Sequence, residues 1–220
     1  MKINGVVFDF NGTLFWDTHL QENSWDCFLE KYGFSLNDEE KKKYIHGINA
    51  KDTFEYLFKR ELNDTEVFRL TEEKEVIYRQ MCLEHGMKLA PGAEKLIGDL
   101  KNSGVALAIA TASAKNNVEF FIQHFPLLNY FKREHIIYND GTMRGKPHPD
   151  LFNKAIKTIG TKPEETLIFE DSHAGIESAL RSGAGEVIIV NSADADYNGF
   201  SCEQITDFNQ VNRARFIGGS

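Results

Sequence analysis

Short apolar runs alternate with helical segments over residues 90–190, and this alternation limits the folds open to the chain. The runs at 105–110, 166–170 and 187–190, and an earlier one at 6–8, carry apolar side chains at nearly consecutive positions. Such a strand is buried on both faces, which is typical of a parallel sheet covered by helices. The helical segments between the runs are about 10 to 12 residues long and suit the crossovers of such a sheet. The sequence therefore predicts an α/β fold built on a doubly wound parallel sheet.

The segment between the first apolar run and residue 88 has a different pattern, because its apolar residues recur at helical spacing. Four helices are predicted there, at residues 17–33, 37–47, 50–60 and 64–84. Asn37, followed three residues later by Glu40, has the spacing of a capping box. We therefore predict a core formed by residues 1–15 and 88–220, with an all-helical cap, residues 16–87, inserted after the first strand.

Side chains that can do chemistry lie where the predicted strands end or in the loop at 144–150. They are Asp9, Asn11, Thr111, Lys146, Glu170 and Asp171. Because the carboxyl ends of parallel strands share one edge of the sheet, we expect these side chains to converge. Three carboxylates with a single lysine would repel one another unless a divalent cation lay among them. Oxygen ligands favour Mg²⁺.

Four motifs, taken in order, connect this chain to a known family. They are Asp9-x-Asn11-Gly12-Thr13, then Thr111, then Lys146-Pro147, and finally Glu170-Asp171-Ser172. This order resembles the signature motifs of the haloacid dehalogenase superfamily. The Pro91-Gly92 pair and the segment at 145–150 resemble its β-phosphoglucomutase-like branch. The resemblance extends to about Val190 and implies a Rossmann-like core with a helical cap inserted after the first motif.

The resemblance also implies a role for each matching residue. Asp9 would be the nucleophile that forms an aspartyl-phosphate, and Thr111 and Lys146 would stabilise the transferring group. Mg²⁺ would be held by the carboxylates of Asp9 and Asp171 and the backbone carbonyl of Asn11, with Glu170 as a direct or water-mediated ligand. The implied substrate contacts are Asn11, Thr111, Ala112 and Lys146 in the core and His46 and Lys51 in the cap.

Position 11 departs from the family pattern, in which a second aspartate protonates the leaving oxygen and then deprotonates the attacking water. The Asn11 amide has no titratable proton near neutral pH. Loss of the acid/base aspartate should cost about 10²- to 10⁴-fold in rate when the leaving group is an alkoxide. Three explanations stay open. The enzyme hydrolyses esters with good leaving groups or uses another acid, for which His19, Asp17 and Glu22 are candidates. Alternatively, it is an attenuated or non-catalytic binder of phosphate esters, or position 11 carries an introduced Asp→Asn substitution.

Other activities of the superfamily fit the sequence less well. Ala50 stands where the sugar-phosphate mutases carry the arginine that grips a second phosphate, which favours hydrolysis over a mutase reaction. The phosphonate-cleaving relatives use a Schiff-base lysine, here Lys43 or Lys51, but carry alanine at position 11. The dehalogenases also differ at position 11. In addition, Trp16 occupies the place of an acidic residue that normally follows the nucleophile, and Asp17 comes one residue later.

The composition limits the kinds of molecule that this protein is expected to bind. The net charge of −8 disfavours a nucleic-acid or anionic-membrane surface. No apolar stretch has transmembrane length, and no signal-peptide core is visible. The three scattered cysteines suit a reducing compartment. We expect a cytoplasmic, Mg²⁺-dependent phosphatase, monomeric by default, whose partner is a small phosphorylated metabolite rather than nucleic acid or membrane.

Overall fold

A computed structural model describes residues 2–45 and 48–216. Within these residues six parallel strands form one sheet in the order β3-β2-β1-β4-β5-β6. The strands are β1 Gly5–Phe8, β2 Ala106–Thr111, β3 Ile136–Tyr138, β4 Thr166–Glu170, β5 Glu186–Val190 and β6 Glu203–Ile205. The chain runs outward from β1 in both directions along the sheet. The predicted doubly wound α/β fold is therefore confirmed.

The described residues form eight α-helices and divide into two compact units. The helices are α1 Thr18–Lys31, α2 Asp38–Tyr44, α3 Ala50–Phe58, α4 Asp64–His85, α5 Ala93–Asn102, α6 Lys115–His124, α7 Asp150–Ile159 and α8 His173–Arg181. One unit, Met1–Thr18 with Met87–Ser220, contains the sheet, and the other, His19–Gly86, is helical. None of the described helices has the length and apolarity needed to cross a bilayer.

Strand β1 lies at the centre of the sheet and is buried along its whole length. On one face Phe8 stacks on Phe169 of β4 with ring centroids 5.0 Å apart. On the other face Val7 belongs to a cluster that includes Phe152 of α7. Burial of both faces explains why β1 lacks the polar alternation of a half-exposed strand. It also fixes the position of whatever follows β1 at its carboxyl end.

The helical unit has its own apolar core, built around Phe28, Phe54 and Leu70. Local signals in the sequence set its helix starts. The Asn37 side chain accepts from the Glu40 backbone N–H while the Glu40 carboxylate accepts from the Asn37 N–H, so the predicted capping box is confirmed. Asn63 begins α4 with the same reciprocal arrangement.

The chain after residue 191 packs more extensively than its sequence suggests. The sequence after residue 191 is polar and weakly patterned, and it indicates packing only for residues 205–208. Tyr197, Val211 and Phe216 are nevertheless also buried. The short strand β6 adds a sixth member to the sheet. Its first two residues are exposed, so pairing with the β5 backbone, rather than an apolar pattern, defines this strand.

Candidate active site

Three carboxylates meet where β1 and β4 end. Asp9 follows β1, Glu170 is the last residue of β4, and Asp171 comes next. The ladder between the strands continues past β1, because the Asp9 backbone N–H donates to the Phe169 carbonyl over 2.9 Å. One oxygen from each carboxylate lies within 4.8 Å of the others. Asp9 and Glu170 are buried, and Asp171 is partly buried.

Lys146 lies between two of these carboxylates. Its ammonium donates to Asp9 Oδ1 over 2.6 Å and to Glu170 Oε2 over 2.7 Å. Although burial opposes the charged form of Lys146, the Asp9 and Glu170 carboxylates hold its pKa above the ordinary value. Burial, and then the charge of Glu170, raise the pKa of Asp9 well above its ordinary value. One lysine therefore compensates only part of the negative charge of three carboxyl groups.

Asp171 is held by the turn that follows Asp9. The Thr13 hydroxyl donates to Asp171 Oδ1 over 2.9 Å. Burial, followed by the nearby Glu170, raises the pKa of Asp171 to about 7. Gly12 has φ +76°, and a Cβ there would lie 2.1 Å from Asp171 Oδ2. Only glycine leaves room for the backbone to come this close to the carboxylate.

Asn11 and Thr111 are brought together on the β2 side of Asp9. Thr111, the last residue of β2, donates weakly to Asn11 Oδ1 over 3.4 Å, and the Ser113 hydroxyl donates to the same oxygen over 2.6 Å. The Thr111 hydroxyl also accepts from the Ser113 backbone N–H over 3.1 Å. Asn11 Nδ2 donates to Asp17 Oδ2 over 2.8 Å. The amide carbonyl of Asn11 thus faces hydroxyl groups, and its nitrogen faces a carboxylate.

The remaining candidates from the sequence are Ala112 in the core unit and residues numbered between 19 and 86, the range of the helical unit. Ala112 is exposed immediately after β2. Lys51 is exposed on α3, with its ammonium 3.9 Å from Glu55. His46 lies outside the described residues. The ring of His19 packs against that of His85, with centroids 4.7 Å apart.

Two residues without a predicted site role contact candidate site residues. The Ser113 hydroxyl, for which a helix-capping role is the simpler reading, bonds to Asn11. The Tyr197 hydroxyl donates to the backbone carbonyl of Asp171. Burial and the charge of Asp171 raise the pKa of Tyr197 to about 12, so this donor keeps its proton. Ser113 stands two residues after Thr111, so its position in the sequence indicates a contact of this kind, whereas no pattern around Tyr197 indicates its contact with Asp171.

Comparison with known proteins gives consistent matches. A family model described as haloacid dehalogenase-like hydrolase matches residues 6–189. Pyrophosphatase PpaX of Bacillus mycoides is 30% identical over 192 residues, covering 86% of this chain and 84% of PpaX. Hexitol phosphatase A of Escherichia coli is 28% identical over 223 residues, covering 96% and 97%. The crystal structure of a HAD hydrolase, family IA, variant 3, from Entamoeba histolytica is 35% identical, with a TM-score of 0.87 over 98% of this chain and 97% of that one.

Proposed function

We propose a reaction from one premise: this chain belongs to the haloacid dehalogenase-like hydrolase family, as its four motifs predict. It is a phosphatase of small phosphorylated metabolites that uses Asp9 as its nucleophile. The observation that carries this proposal is the buried cluster of Asp9, Glu170 and Asp171 with Lys146 bridging two of its members. The names of its relatives, a pyrophosphatase and a hexitol phosphatase, support the same class of reaction.

A divalent cation fits this cluster. Three carboxyl groups face one ammonium, and the pKa of Asp171 is raised to about 7 mainly by burial and by the Glu170 charge. Oxygen donors of this kind suit Mg²⁺, which Asp9, Asp171 and the Asn11 backbone carbonyl would hold, with Glu170 binding directly or through water. When bound, the ion would neutralise charge on the phosphoryl oxygens.

The positions of Asp9, Lys146 and Thr111 indicate the role of each residue in the reaction. An Asp9 carboxylate oxygen attacks phosphorus, the bond from phosphorus to the leaving oxygen breaks, and the phosphoryl group becomes an acyl phosphate on Asp9. Lys146 favours the ionised form of Asp9 before attack, because its ammonium donates to Asp9 and opposes the rise in pKa that burial causes. Lys146 and Thr111 then stabilise charge on the phosphoryl oxygens. Water then attacks phosphorus, the bond from phosphorus to the Asp9 oxygen breaks, and the proton that the water gives up leaves with inorganic phosphate, so the Asp9 carboxylate is restored.

Asn11 restricts the substrates that can complete this reaction. An amide does not supply a proton to the leaving oxygen, so the leaving group must be stable as an anion. Acyl phosphates, aryl phosphates and phosphoanhydrides meet this requirement, whereas alkyl phosphates such as sugar phosphates do not. PpaX, a relative named as a pyrophosphatase, would cleave an anhydride of this kind. We therefore favour substrates with leaving groups of low pKa.

The test is phosphate release in Mg²⁺ from aryl phosphates, acyl phosphates, pyrophosphate and sugar phosphates. We expect turnover of the first three classes, and loss of that turnover in Asp9→Ala. Glu165→Gln changes a partly exposed carboxylate that bonds to Asn4 through an exposed contact, and it serves as the control. No release from any class would overturn the hydrolase proposal, and calorimetric binding of the same esters would then favour a phosphate-ester-binding protein.

A further inference from the structure

Asp17 is a fully buried carboxylate to which the reaction above gives no role. Its Oδ1 accepts from the Gly12 backbone N–H over 2.8 Å, and its Oδ2 accepts from Asn11 Nδ2, also over 2.8 Å. The turn it contacts is closed by its own backbone bonds, from Gly12 N–H to the Phe15 carbonyl and from Phe15 N–H to the Phe10 carbonyl. Asp17 therefore contacts this turn although it comes one residue later than the acidic residue of the family pattern, whose place Trp16 occupies.

This contact determines which end of the Asn11 amide faces which neighbour. A carboxylate offers acceptors, so the group that Asn11 presents to Asp17 must be its Nδ2 donor. The carbonyl oxygen of Asn11 then faces the other way, where the hydroxyls of Ser113 and Thr111 donate to it. A single orientation of the amide makes all three of these hydrogen bonds.

We propose that Asp17 is the positioning residue for Asn11, and that the two form an amide–carboxylate pair in which neither member can be changed alone. This inference rests on the proposed function. With its nitrogen held by Asp17, Asn11 keeps its carbonyl oxygen toward the hydroxyls of Ser113 and Thr111. The pair therefore fixes the orientation of the side chain at position 11 beside Thr111, a residue to which the proposed reaction gives a role. A carboxylate at position 11 would be held in the same place only where position 17 supplies a donor.

The pair makes an unusual prediction for restoring the family's aspartate. Asn11→Asp alone places a second carboxylate against Asp17, where the native contact is 2.8 Å long, and the like charges repel. In Asn11→Asp/Asp17→Asn the two groups are exchanged. The amide introduced at position 17 can still accept from the Gly12 N–H through its oxygen, and it can donate to the carboxylate at position 11 through its nitrogen. The contacts of position 17 with the Gly12 N–H and with position 11 are then kept, and the second has its donor and acceptor exchanged.

The first experiment measures Tm at pH 8 for the two single variants and the exchanged pair. We expect Asn11→Asp to lower Tm by about 3–12 °C, the range for loss of a buried hydrogen bond to a charged group in a chain of this size. Adding Asp17→Asn should recover most of that loss. Asn4 and Glu165 form a more exposed amide–carboxylate pair with a hydrogen bond of the same 2.8 Å length. Exchanging the residues at these two positions should show little coupling between the two Tm changes. Losses at positions 11 and 17 that simply add would overturn the proposal.

The second experiment separates positioning from a purely structural role. We expect the exchanged pair to raise kcat for alkyl phosphates by at least 10²-fold over Asn11→Asp alone, with KM within about twofold, because only the exchanged pair holds an acid at position 11 in place. Equal kcat values in an active enzyme would overturn the proposal. If every variant lacks activity, the Tm cycle still decides whether Asp17 holds Asn11, while the inactivity counts against the proposed function instead.

Discussion

Replacing Lys146 by methionine tests the charge balance of the site directly. The change keeps an unbranched side chain but removes the ammonium that donates to Asp9 and Glu170 over 2.6 and 2.7 Å. Removing one partner of a buried ion pair costs about 3–5 kcal/mol, because the charges left behind have neither water nor a counter-ion. In a chain of this size 1 kcal/mol corresponds to about 2–4 °C, so Tm should fall by about 6–20 °C without divalent cation.

The pH dependence of this loss identifies its cause. The pKa values of Asp9 and Asp171 lie above their ordinary values, chiefly because of burial. As the pH is lowered, both groups therefore take up protons at a higher pH in the folded state than in the unfolded chain. The repulsion that Lys146 relieves therefore weakens as pH falls. We expect the Tm deficit of Lys146→Met to be largest near pH 8 and smaller near pH 5. Mg²⁺ should restore part of it, since the ion supplies positive charge to the same carboxylates.

Differential scanning calorimetry at pH 5, 6.5 and 8 provides the measurement, with EDTA or Mg²⁺ present. Lys154→Met is the matched control, because Lys154 pairs with Asp140 at 3.5 Å in an exposed position. An exposed pair contributes about 0–1 kcal/mol, so this control should change Tm by a few degrees at most. A Lys146→Met deficit as small as that of the control, or one independent of pH, would refute the account of a charge-loaded cluster.

Three further predictions concern the same cluster. Gly12→Ala places a Cβ 2.1 Å from Asp171 Oδ2, so phosphate release should fall by about 10²-fold, whereas Gly98→Ala, where a Cβ meets nothing within 4 Å, should leave it unchanged. In EDTA, raising the pH from 4 to 7 should lower the contribution of Asp171 to the free energy of unfolding by up to about 4 kcal/mol, because a pKa near 7 makes the folded state bind the extra proton. Urea unfolding of Asp171→Asn should show a smaller slope with pH, the remainder coming from Asp9. Mg²⁺ at about 100 times its Kd should raise Tm at pH 8 by about 5–10 °C, and a shift of equal size in Asp171→Asn would argue against a metal site there.

Local sequence patterns predict much of the α/β architecture. The apolar run that becomes β1 predicts a strand buried on both faces, and β4 and β5 follow from the same reasoning. The Asn37 capping box is equally local, because donor and acceptor are three residues apart. Strand β6 was missed, since its three residues are defined by pairing with β5 and not by their own side chains. The division into core and cap and the roles of individual site residues stay predictions.

For the candidate site as well, the sequence predicts which residues matter, and the tertiary structure determines which of them are in contact. Motif order alone predicts a site role for Asp9, Lys146 and Asp171, because the resemblance assigns a role to each of these residue types. The sequence could not tell that Lys146 lies 2.6 Å from a carboxylate 137 residues away. Nor could it tell that Asp17, one residue late in the family pattern, reaches the nitrogen of Asn11. Residue identity decides which hydrogen bonds and charges are available, whereas only the packed sheet and its turns decide which of them meet.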